Sequence, residues 1–182
     1  MDARLHRMQG ETEDLMSDLQ SLLTEFAAGR VALVERHEAS ARAVSHYDFN
    51  NTYQYVINRE ETHLSWLQTA LAEYKAVLPP AGASALPVPH APKTGRKVEA
   101  SAFNGILEED VRYLGAFVDT WRPRVDQVTH ARHRNMLNVI LGESMEHKRL
   151  FEQAAAGLED LLGRRTGGVE RVGGVLPTRW LE

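Results

Sequence analysis

The chain has 182 residues, 43% of them hydrophobic and 25% charged, which suits one soluble domain with a sizeable core. The formal net charge of -4 offers nothing to attract nucleic acid, and no cysteine is present, so disulfides, thiolate metal sites and cysteine nucleophiles are excluded. No apolar run approaches the roughly 20 residues that cross a bilayer, and Met1 to Arg7 carries no apolar core for a secretory signal. A cytoplasmic protein is the expectation.

The first helix is expected over about residues 11–44. Leu15, Leu19, Leu22, Phe26 and Leu33 recur at spacings of three and four, with one gap at Arg30. Residues 45–51 read as a turn, rich in types that cap or break helices. A second helix follows to about Leu78, with the stripe Phe49, Tyr53, Val56, Glu60, His63, Leu67, Leu71, Tyr74. Prolines at 79, 80, 87, 89 and 92 then forbid a regular helix or a central strand. This connector of roughly 20 residues, at about 3.3 Å each, could span a bundle and join two parallel helices. The third helix covers about residues 98–121, with Phe103, Leu107, Asp110, Leu114, Phe117 and Trp121 on one face. Pro123 suits the first turn of a fourth helix, which runs to about Leu162 with the stripe His133, Met136, Ile140, Glu143, His147, Leu150, Ala154. No strand pattern appears, so the fold class is all-α. A bundle over residues 1–163 is followed by a Gly/Arg-rich tail, residues 164–182. That tail is either a disordered end or a docking arm in which Leu176, Trp180 and Leu181 seat on another subunit or partner. The chain is expected to form a homo-oligomer, a dimer.

Polar residues interrupt the apolar stripes at informative places. Glu60 and His63 fall between Val56 and Leu67, Asp110 between Leu107 and Leu114, and Glu143 and His147 between Ile140 and Leu150. Residues three or four apart share a helix face, so each Glu–His pair points one way. Unpaired buried carboxylates are costly, and divalent cations would neutralise three of them, with two imidazoles as nitrogen ligands. The plain alternative is that each is a boundary or solvated residue. His130 and His133 repeat the spacing of three, and with His37 they read as half-exposed residues or accessory ligands.

The run Asn58-Arg59-Glu60-Glu61-Thr62-His63-Leu64-Ser65-Trp66-Leu67, with Met145-Glu146-His147-Lys148-Arg149-Leu150-Phe151, resembles the ferritin-like superfamily, in particular rubrerythrin-like bundles. The resemblance covers about residues 11–162. It implies an antiparallel four-helix bundle with a long Pro-rich connector between helices two and three. It also implies two divalent metal ions, iron or manganese, held by a glutamate from helices one and three and a Glu-x-x-His pair from helices two and four. By that likeness Glu60 bridges the metals, His63 and His147 bind terminally, and Glu143 and Asp110 complete the set. The chain departs from the pattern in three places. Ser144 stands three before His147, Asp110 replaces a glutamate, and Gly29 occupies the helix-one ligand position beside Arg30. An inward Arg30 would pair with Glu60 or Glu143 and replace one cation; Glu35 or Glu38 is the substitute carboxylate. The implied functions are a di-metal oxidoreductase acting on oxygen or peroxide, a metal store, or a ligand-depleted bundle with a structural or interaction role. A one-metal site at Glu60, His63, Glu143 and His147 lies between.

Overall fold

The computed structural model describes residues 2–91, 99–159 and 161–164, with side chains from Met16 to Leu162 within these ranges. Four long helices carry the fold: α1 (Asp2–Ala43), α2 (Tyr47–Ala72), α3 (Asn104–Asp126) and α4 (Ala131–Ala155). A 3-10 turn at Ala100–Phe103 leads into α3, and α5 (Leu161–Arg164) is a single turn. No strand occurs among the described residues, and none of their helices is long and apolar enough to cross a membrane. The tail from residue 165 lies outside the described residues, and with it the expected docking arm.

The molecule is built as two helix pairs. α1 packs chiefly on α2 and α3 chiefly on α4, with thinner contact between the pairs. Leu23, Phe26 and Leu33 of α1 and Val44 of the turn meet Phe49, Tyr53, Val56 and Leu67 of α2 and Leu107, Leu114, Ile140 and Leu150 of the other pair in one core. At about 25 cal/mol per Å² removed from water, this burial is the main term favouring the fold. The gap expected at Arg30 is filled by Arg30 itself, which is fully buried in the inner stripe. Residues 30–34 are all buried, so α1 is covered on every side at this level. Gly29 permits that closeness, because a Cβ there would meet Phe117 Cε2 at 3.2 Å.

Several boundaries differ from the sequence-based expectation: α1 is helical from Asp2, α2 ends at Ala72 rather than about Leu78, and α3 begins at Asn104 rather than about residue 98. The turn is only residues 44–46, and Tyr47 to Asn51 already belong to α2. Asp48 lies in its first turn, where a carboxylate favours the helix dipole. Pro123 lies in the last turn of α3 and does not open α4. The cost is one hydrogen bond, since a proline has no N–H to donate to the Asp119 carbonyl one turn back. α4 starts instead at His130, whose ring accepts the His133 N–H as an N-cap, and it ends at Ala155. Gly157, at φ 83°, closes it, with Leu158 N–H on the Gln153 carbonyl and Gly157 N–H on that of Ala154. Lys75 takes the equivalent left-handed position after α2.

Residues 76–91 are non-helical and lie along α1. The Gly82 N–H donates to Glu35 Oε2 at 3.0 Å, and Arg36 donates to the Pro87 carbonyl. Leu86 packs on the core, and Pro89 is buried.

Candidate functional site

Four of the five residues expected at a metal centre converge. Arg30 from α1, Glu60 and His63 from α2, and Ser144 and His147 from α4 are each at most 1% exposed. The Arg30 guanidinium stands in their midst. Nη2 lies 3.1 Å from Glu60 Oε1 and 3.0 Å from His63 Nδ1, and Nη1 donates to Ser144 Oγ at 3.0 Å. Ser144 donates its own O–H to the Ile140 carbonyl, so its oxygen is free to accept. On the far side of His63, Nε2 lies 3.0 Å from Glu143 Oε2. Glu143 also takes a two-pronged contact from Arg59, 3.0 Å from Nε and 2.6 Å from Nη2.

The partners fix the tautomer of His63. A guanidinium only donates, so Nδ1 accepts; Nε2 therefore carries the proton and donates to Glu143. Burial first, and then the charge of Arg30, push His63 down to about 4, so the ring is neutral at pH 7. Burial by itself would raise Glu60, but His37 and Arg30 outweigh it and hold the carboxyl well below the usual range. His37 Nδ1 lies 2.8 Å from Glu60 Oε2, and His147 Nδ1 is 3.8 Å from Oε1. His147 is lowered by burial, against the opposing pull of Glu60. Glu143 is lowered too: burial raises it, and the Arg59 and His63 contacts prevail. Two guanidinium groups thus match two carboxylates.

Asp110, the fifth expected ligand, belongs to another cluster. Its Oδ1 accepts from Arg36 Nε at 2.7 Å and its Oδ2 from the Tyr53 hydroxyl at 2.6 Å. Arg36 also reaches Glu109 at 2.8 Å and the Pro87 carbonyl. Arg36 is six residues beyond Arg30, about 9 Å further along α1. One guanidinium therefore gathers α1, α3 and the segment after α2, and Tyr53 adds α2. The alternative helix-one carboxylates face elsewhere: Glu35 holds Gly82, and Glu38 pairs with Arg42 at 3.6 Å.

In this arrangement the side chains do not fit a pair of metal ions. Both nitrogens of His63 are engaged, Glu60 faces a fixed positive charge, and Asp110 is one layer away. No group of three His, Asp or Glu side chains among the described residues is placed to hold a metal ion. Arg30 Nε, His37 Nε2, Glu60 Oε1 and His147 Nδ1 make no hydrogen bond among the described residues. The Glu60 oxygen is thus held by charge from Arg30 rather than by an aligned bond.

Sequence reasoning missed Arg36 as an organiser and the pairing of Arg59 with Glu143. The signal for Arg36 was its place on the same face as Phe26, Arg30 and Leu33, read at spacings of three and four. No protein-family model, no curated protein and no solved structure matches the chain.

Proposed function

We propose that the chain is a metal-independent bundle of ferritin-like type, in which one arginine takes the place of the central cations and the role is structural or protein-binding. The observation that carries the reading is the Arg30 guanidinium, fully buried and within 3.1 Å of Glu60, His63 and Ser144. A guanidinium stays charged throughout the physiological range and spreads its donors in a plane, so it can serve a carboxylate, an imidazole and a hydroxyl from two helices at once. The ferritin-like course belongs to the same proposal, with antiparallel neighbours and residues 76–91 leading away from α2 along α1. It is supported by the contacts of Glu35 and Arg36 of α1 with residues 82 and 87 of that segment.

The test is anaerobic loading with ferrous iron followed by air, elemental analysis and an ultraviolet spectrum. The expected result is no stoichiometric iron and no near-ultraviolet band of an oxo-bridged ferric pair. A pair of irons per chain, lost on Glu60→Gln, would overturn the reading and restore a di-metal oxidoreductase with Glu60, His63, Glu143 and His147 as ligands.

A further inference from the structure

A second polar cluster lies at the start of α4, ten residues along α2 and α4 from His63 and Glu143 of the Arg30 centre. His133 is 1% exposed. Its backbone N–H donates to His130 Nδ1 at 3.4 Å, so that ring nitrogen must be an acceptor. His133 Nδ1 lies 2.8 Å from the same atom. Two lone pairs cannot meet at that distance, so His133 Nδ1 carries the proton. A neutral imidazole has one N–H, which leaves Nε2 as a bare lone pair. Burial and the neighbouring His130 lower the His133 pKa, which keeps the ring neutral at pH 7.

That lone pair makes no hydrogen bond among the described residues. Facing it at 3.5 Å is Oε2 of Glu73, from the turn after α2. The other oxygen of Glu73 is taken by Arg132, which turns Oε2 toward the ring. Two acceptors from different helices thus confront each other. No aligned hydrogen bond joins the two atoms across this 3.5 Å gap. The gap does suit two ligands of one ion: at about 2.0–2.1 Å from a tetrahedral centre, neighbouring donors are about 3.4 Å apart. A groove of about 240 Å³, walled by Trp66, Thr69, Ala70 and Met136, opens onto this pair from solvent.

We propose that His133 Nε2 and Glu73 Oε2 bind a zinc-class divalent ion, with water from the groove completing its coordination. Imidazole with carboxylate suits zinc and its neighbours in the first transition row. His130 plays the part of the outer partner that fixes the tautomer and ring orientation of a metal-bound histidine. Two protein ligands make this a weaker site than a closed one with four. It is separate from the Arg30 centre and does not depend on how that centre is read.

The experiment is calorimetric titration of the untagged full chain with zinc, together with visible spectroscopy of cobalt(II) as a probe of coordination. One ion per chain is expected. Binding should weaken at least tenfold in Glu73→Gln and His133→Gln, and about 10- to 100-fold in His130→Ala. It should be unchanged in Glu143→Gln. Glu73 is solvent-exposed, so Glu73→Gln decides the matter even if His133→Gln fails to fold. No saturable zinc uptake by the wild type, equal uptake in Glu73→Gln, or loss of uptake in Glu143→Gln each overturns the proposal.

Discussion

Replacing Arg30 by methionine keeps much of the side-chain volume and deletes the charge. Glu60 is then a fully buried carboxylate without its guanidinium, and Ser144 Oγ and His63 Nδ1 each lose a donor. Removing one partner of a buried pair costs about 3–5 kcal/mol. Native domains hold about 5–15 kcal/mol in total, so a folded variant with a markedly earlier urea transition is expected. The double variant Arg30→Met, Glu60→Gln removes both charges, and it should recover about 2 kcal/mol of the single variant's loss. Acid adds a second readout. The carboxyl of Glu60 is depressed below its ordinary value of 4.5, so its contribution is complete above that pH and is lost as the pH falls below it. Without Arg30 the depression shrinks, and stability should fall less steeply below about pH 4.5. Urea unfolding followed by circular dichroism at several pH values measures all three quantities. A single variant that costs less than about 1 kcal/mol, or a double variant as unstable as the single, would refute the idea that Arg30 neutralises a buried acid.

His63 is lowered in the fold from 6.5 to about 4, so the unfolded chain binds its proton first. Stability should therefore decline as the pH drops from 6.5 toward 4, and His63→Gln should flatten that part of the profile; an unaltered profile would contradict it. Tyr53→Phe strips Asp110 Oδ2 of its hydroxyl donor, and about 1–3 kcal/mol should be lost in urea unfolding. The same change in an Arg36→Met background should cost a different amount, because both side chains bond one carboxylate.

The helical content and the inward course of Glu60, His63, Asp110 and His147 were legible in the sequence, because each lies on an apolar stripe with helical spacing. Periodicity reports which face is buried, and it did so here even for charged groups. It does not report depth along the bundle, so Asp110 was read at the level of Glu60 although it lies beside Arg36. Nor does it weigh a cation on one stripe against carboxylates on another. Arg30 looked like an interruption of the α1 stripe, while Glu60 and His63 looked like ligands on the α2 stripe. Their direct pairing depends on how two helices are staggered, and no single-helix pattern encodes that. The pairing of Arg59 with Glu143 is hidden in the same way, because the partner comes from another helix. Pro123 was read as a start signal, since a proline tolerated near either end of a helix looks alike in one dimension.

The thin seam between the helix pairs has a consequence for how uniquely the fold is determined. Leucine and valine rows fit nearly as well after sliding by two turns, since one apolar knob replaces another. Arg30 against Ser144, His63 against Glu143 and Arg36 against Asp110 permit no such slip. A displaced helix pair would part Arg36 from Asp110, both fully buried, and separate Arg30 from Ser144 and His63 from Glu143. The polar contacts thus act as a ratchet pawl, penalising every alternative alignment more than they strengthen the correct one.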